Sequence, residues 1–206
     1  MKNIILILIL TTAFVACSKK NSNENTADIS YTLLSPNIHL NTVDSFTNYP
    51  GSPCAGKPFR VPEDSLVSYN LDLNSDGQPD FKIIMKHEMG YSSPSDPCPQ
   101  YDSSIEIYGL HPLNQIARTS SMEIVLMNPD EVIDETLLWQ NRQFLEVALT
   151  QGGGYYSFDF SGDKYIGLKL NEQYGWLFVN KTEHNLYIKG YALNQNPNEE
   201  IQSGQQ

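Results

Sequence analysis

Lys164-Tyr165-Ile166-Gly167-Leu168-Lys169-Leu170 and Tyr174-Gly175-Trp176-Leu177-Phe178-Val179 are two apolar runs separated by Asn171-Glu172-Gln173. Trp176 and Phe178 alternate with Leu177 and Val179, so an extended chain turns large apolar groups to both faces. That pattern suits a strand covered on both sides, and it makes Trp176 a core residue rather than an exposed platform for a sugar ring.

Outward from this pair, similar runs recur roughly every 8 to 15 residues, a spacing typical of all-β chains. Strands are expected near Ile29–Leu34, Leu66–Leu73, Asp80–His87, Ser104–Gly109, Met122–Met127, Phe144–Leu149, Tyr155–Phe160, Lys164–Leu170, Tyr174–Asn180 and Asn185–Leu193. Asn74-Ser75-Asp76-Gly77 and Asn180-Lys181-Thr182-Glu183 have turn chemistry, and Ser161-Gly162-Asp163 carries a hairpin signal. Only Pro129 to Arg142 reads as a short helix or a long loop, with Val132, Ile133, Leu137 and Leu138 on one face. No repeat of fixed period is visible. The expected fold is all-β: an antiparallel β-sandwich, jelly-roll-like, with at most one short helix.

The chain has 206 residues, 40% hydrophobic and 18% charged, which is a globular composition. Twelve Tyr and eight Phe favour strands. The net charge of -11 argues against nucleic acid, whose phosphates need a Lys/Arg surface. It is compatible with cation binding and with simple solubility.

The N-terminus reads as an address. Met1-Lys2-Asn3 carries one positive charge, Ile4 through Leu10 are unbroken aliphatics, and Phe14-Val15-Ala16-Cys17 follows. The run is too short to span a bilayer, which takes about 20 apolar residues, and it has the build of a signal peptide. Phe14-Val15-Ala16-Cys17 resembles the lipobox of bacterial lipoproteins, with Phe14 where Leu is usual. The resemblance implies cleavage before Cys17, a diacylglycerol on its sulfur, and a stable membrane anchor. Residues 1–16 are then the signal, 17–28 a polar flexible tether, 29–194 a single sandwich domain and 195–206 a polar tail. Lipoproteins of the Bacteroidota type that are displayed on the cell surface often carry an acidic cluster in the tether. Lys19-Lys20 stand there instead, which favours a periplasm-facing orientation in the outer membrane or periplasm.

Cys54 and Cys98 remain. In an oxidising compartment two leftover cysteines pair, closing a loop of about 45 residues for roughly 4 kcal/mol in the chain-entropy model. Free thiols are the other reading. A zinc site is disfavoured, because two cysteines without helpful His spacing leave it short of four ligands.

Asp72-Leu73-Asn74-Ser75-Asp76-Gly77-Gln78-Pro79-Asp80 is the one stretch with chemistry in it. Side-chain oxygens fall on alternate residues, and Gly77 permits a sharp turn. Calcium is a hard cation that takes oxygen ligands. Asp72, Asn74, Asp76, the Gln78 carbonyl and Asp80 are the expected ligands, and carboxylates packed so closely repel one another without a cation. Ile83 stands where an EF-hand has its final Glu, so this is not an EF-hand. The loop resembles calcium loops found on β-scaffolds; the alternative is a polar turn that binds nothing.

Taken with Leu186-Tyr187-Ile188-Lys189-Gly190-Tyr191-Ala192 and a tail bearing Pro197, Ile201 and Gly204, the Asp-rich loop and the Tyr174-Gly175-Trp176 strand resemble a family of exported bacterial proteins of unknown function. The likeness covers roughly a third of the mature chain and rests on the combination of motifs. It implies a β-sandwich and assigns no activity.

Catalytic signatures are weak. His39, His87, His111 and His184 are scattered, and His87-Glu88-Met89-Gly90-Tyr91 lacks the second His of a zinc protease. Gly152-Gly153-Gly154 lacks the Lys and Ser/Thr of a phosphate loop, and no nucleophile elbow is present. A carboxylate pair drawn from Glu106, Glu123 or Asp159 would suit glycoside hydrolysis if the fold brought two together. The expectation is a non-catalytic envelope lipoprotein that binds a glycan or a protein, with a polysaccharide-active hydrolase on a jelly-roll as the alternative.

Overall fold

A computed structural model of the chain describes residues 28–41, 46–49, 59–62, 65–93, 96–121, 123–150, 160–182 and 185–206. The expected signal and tether up to residue 27, Cys17, Cys54, the triglycine run and most of the expected strand Tyr155–Phe160 lie outside the described residues. So does the side chain of Cys98.

Among the described residues the strands are β1 (Ile29–Asn41), β2 (Phe46–Tyr49), β3 (Phe59–Pro62), β4 (Ser65–Leu71), β5 (Phe81–Ser93), β6 (Asp96–Gly109), β7 (Asn114–Arg118), β8 (Leu126–Met127), β9 (Val132–Ile133), β10 (Leu138–Gln140), β11 (Arg142–Thr150), β12 (Gly162–Leu170), β13 (Gln173–Thr182), β14 (Asn185–Asn194) and β15 (Ile201–Gln202). No helix occurs among the described residues. The larger sheet runs β1-β14-β13-β12-β7-β10, with β8 paired to the far part of β12, and the smaller runs β11-β6-β5-β4. All pairings in both are antiparallel. The first strand and the last long one are neighbours, with Ile29 opposite Asn194.

The main core lies between the two sheets. Leu71, Phe81, Ile83, Ile105 and Ile107 come from the smaller sheet, and Ile116, Ile166, Leu168, Leu177, Val179 and Ile188 from the larger. The molecule is therefore an antiparallel β-sandwich. Trp176 is 1% exposed and belongs to a second cluster on the other face of the larger sheet, with Tyr174, Met127, Ile133, Ala192 and Ile201. Leu177 and Val179 face the main core while Trp176 and Phe178 join the outer cluster, so the strand is covered on both faces as its sequence requires.

The outer cover comes from two segments that the sequence assigned elsewhere. Pro129 to Arg142 is not helical; it is turns carrying β9 and β10 and the start of β11. Asp130 adopts a left-handed φ of 68°, and Asp134 Oδ1 accepts from Thr136 N at 2.8 Å, which closes a turn where a helix would continue. Ile133 packs over Gly167, whose bare Cα leaves room for it. The polar tail 195–206 also folds onto the domain. Ile201 and Gln202 pair with Ile133 and Val132. Ser203 is fully buried; its Oγ donates to the Asn128 carbonyl and accepts from Glu131 N at 3.0 Å, while its backbone N–H reaches Glu131 O at 2.9 Å. Composition marks these residues as solvent-facing, yet one Ile and one satisfied Ser suffice to bring them inside.

The bounds of two expected turns also change. Gly162 and Asp163 are already strand residues of β12, opposite Lys181 and Asn180, and the other arm of the expected hairpin lies outside the described residues. β13 runs on through Thr182, so Asn180 and Lys181 are strand residues too.

Candidate functional site

The Asp-rich loop joins β4 to β5 at the end of the smaller sheet where Leu71 pairs with Phe81 and Phe81 with Gly109. Ser75 and Gly77 take left-handed backbone angles, φ 60° and 89°, which folds the loop back on itself. Its side chains then close onto its own amides. Asp72 accepts from Asp76 N at 3.1 Å and from Gly77 N at 2.8 Å. Asn74 Oδ1 accepts from Asp76 N at 3.0 Å, and Asn74 Nδ2 donates to Asp76 Oδ2 at 3.0 Å. Asp76 Oδ1 accepts from Gln78 N at 2.7 Å.

Asp80 is placed differently. It is 8% exposed and accepts from Leu73 N at 2.9 Å, so it anchors the start of the loop from beneath. Burial pushes its carboxyl above the usual carboxylate value; the Leu73 and Asn74 amides pull against that shift, and the negative charges of Asp72 and Asp76 add to it. Asp72, Asn74 and Asp76 are thus brought together, Asp80 sits close enough to feel two of their charges, and the Gln78 side chain is exposed.

The donor set is all oxygen, hard and mutually repelling, which fits calcium rather than a softer metal. Each carboxylate oxygen has a second lone pair beyond the one its amide occupies. As the side chains stand, however, no group of three or more His, Cys, Asp or Glu among the described residues is disposed to hold a metal ion.

Beside the loop, a polar staple fixes this end of the molecule. The chain passes from the larger sheet to the smaller at Asn141, between β10 and β11. Asn141 Nδ2 donates to the carbonyls of Gly109, His111 and Asn114 at 3.0, 2.8 and 2.9 Å, and Gly109 N donates to Asn141 O at 2.7 Å. The Asp80 carbonyl accepts from Leu110 N at 2.8 Å and Asn114 Nδ2 at 2.9 Å. Asp loop and 110–113 loop are therefore one hydrogen-bonded unit. A shallow hollow next to it is lined by Leu113, Asn171, Glu172, Gln173 and Pro197.

Sequence reading missed two features. One is the 110–113 loop, where Leu110 and Leu113 are 44% and 55% exposed; its only sequence signal is a pair of leucines inside a turn-like Leu-His-Pro-Leu. The other is an aromatic layer on the outer face of the larger sheet. Tyr165 stacks on Phe178 and meets Trp176 edge-on, Lys189 lies 4.4 Å over Phe178, and Trp139 stacks on Tyr174. Lys189 also ion-pairs with Asp163 at 3.0 Å. Burial raises the Asp163 carboxyl, but hydrogen bonds from Asn180 and Lys189 and the lysine charge outweigh it and hold the group below its usual value. Alternation at Tyr165, Gly167 and Lys169 carries that signal.

Of the groups a hydrolase would need, Glu106 is held by Arg142, whose Nε lies 3.1 Å away, and Asp159 lies outside the described residues. His39 is hydrogen-bonded to Asn185 at 2.7 Å and stacks on Tyr187. His111 Nδ1 accepts from Leu113 N at 3.3 Å, and the side chains of His87 and His184 lie outside the described residues. Comparison with protein-family models, with curated proteins and with solved structures returned no match to this chain.

Proposed function

We propose that the protein is a lipid-anchored lipoprotein of the bacterial envelope whose β-sandwich is a non-catalytic binding or scaffolding module, steadied by calcium at the Asp72–Asp80 loop. The observation that carries this reading is the order Ile4–Leu10, then Phe14-Val15-Ala16-Cys17, then a polar stretch reaching Asp28. In that setting Cys54 and Cys98 are oxidised to a disulfide. The calcium part of the reading draws support from Asp80, whose burial and two acidic neighbours make its ionised form costly until a cation offsets them. A glycan or an envelope protein is the partner class. The periplasm-facing orientation rests on Lys19-Lys20 alone.

The test is the full-length chain with Cys17→Ser, followed by detergent phase separation and mass spectrometry. The native chain should partition into detergent with acyl chains on Cys17, and the variant should stay aqueous. An intact Met1 with no acyl group on the native protein would overturn the proposal.

A further inference from the structure

We propose that Leu110-His111-Pro112-Leu113 is the point at which the domain rests on the bilayer that holds its anchor. This rests on the lipoprotein reading above and goes further, because it assigns the domain an orientation and a membrane-contacting surface.

The pairing register places the loop. Ile29 opposes Asn194, Leu193 opposes Gly175, Gly175 opposes Leu168, and Leu170 opposes Asn114. The start of β1 and the start of β7 are therefore at one end of the larger sheet, four strand spacings or about 19 Å apart. The 110–113 loop and the Asp72–Asp80 loop project from that same end. The eleven residues from Ser18 to Asp28 reach at most about 36–40 Å when fully extended. The chain enters β1 at this end, and the other end of the ten-residue β14 lies about 30 Å further away. A leash of this length favours presenting the loop end to the lipid.

The loop is also built for an interface. Leu110 and Leu113 are exposed, and His111 and Pro112 between them are exposed as well. Yet the loop's N–H groups at Leu110 and Leu113 and its His111 carbonyl are satisfied from within: Leu110 N donates to Asp80 O, Leu113 N to the His111 ring, and the His111 carbonyl accepts from Asn114 N and Asn141 Nδ2. Backbone entering a poorly hydrated layer must bring its hydrogen bonds with it. Two leucines are too little apolar surface to bind a membrane unaided, but an anchor on the same molecule makes the contact intramolecular. Glu172 and Glu200, exposed at this end and outside the calcium loop, disfavour anionic lipid, so the partner is a zwitterionic headgroup surface.

The test uses the lipidated full chain in phosphatidylcholine vesicles doped with lipid spin-labelled just below the headgroup. Leu113→Trp is compared with Thr182→Trp at the opposite end of the sheet, each against the parent, which shares Trp139 and Trp176. The expected result is a loss of the added emission at position 113 and none at 182. If both variants float with the vesicles and are quenched alike, this proposal fails while the anchor stands. If neither floats, the lipoprotein reading fails and this one with it. Equal shielding of the position 113 probe in detergent-dispersed protein would point to a second copy as its partner and overturn the membrane contact.

Discussion

Asp80→Asn separates the two jobs assigned to that side chain. Asparagine keeps the oxygen that accepts from Leu73 N at 2.9 Å, so the loop keeps its anchor while losing a charge that burial and the Asp72 and Asp76 charges oppose. In chelator at neutral pH the variant should melt no lower than the parent. The sign follows from linkage: a carboxyl whose pKa is higher folded than unfolded favours the fold fully below the unfolded value, and this contribution is lost as pH rises through the folded value. The parent should therefore lose stability relative to the variant as pH rises from below 3.8 through that raised value. Calcium reverses the order. With a dissociation constant near 10⁻⁴–10⁻³ M, 10 mM calcium stabilises the parent by about 1.4–2.7 kcal/mol. For a domain of this size that is a rise of about 3–11 °C in Tm. Asp80→Asn should lose most of that rise. Calorimetric melts of both proteins, with calcium and with chelator, measure all four corners. A parent melt that calcium leaves unmoved would refute the metal reading. A variant that melts well below the parent in chelator would refute the claim that the Asp80 charge is a burden.

Two further substitutions test the way the ends of the sandwich are held. Ser203→Ala removes two side-chain hydrogen bonds from a fully buried position and should cost about 1–3 kcal/mol in urea denaturation; a loss below about 0.5 kcal/mol would mean that the C-terminal segment is not integral to the fold. Gly109→Ala places a Cβ 2.0 Å from the Asn114 carbonyl oxygen and 2.6 Å from Asn141 Nδ2, both parts of the polar staple. It should prevent a cooperative melt, and a variant with parental Tm would show that the staple yields easily.

The sequence was legible where one residue type dominated a period. Trp176 is buried as its strand pattern requires, and Leu177 and Val179 meet the other core. It was misleading where a few apolar residues sat in polar company. Ile133 and Leu137 fall at helical spacing, but Ile133 packs over Gly167 and pairs with Ile201, and Asp134 spends its carboxylate closing a turn. β7 has one bulky apolar residue, Ile116, too weak a signal to mark a strand although Ile116 and Ala117 are fully buried. The tail shows the same limit, since nothing local distinguishes Ile201 from an exposed residue in a Gln- and Asn-rich run. At the Asp loop, spacing gave the residues that gather and missed their first allegiance, which is to the loop's own amides. Asp80 reads from sequence as one ligand among equals; only its position beneath the loop, facing Leu73, makes it the buried member.

The partnership of β1 with β14 has a consequence in time. Ile29 cannot find Asn194 until a further 165 residues, 194 less 29, have been made. At about 5–20 residues per second that is a wait of roughly 8–33 s for the earliest strand. Until then the larger sheet lacks its β1 edge, because the strand made first among those described is the one that must wait for β14.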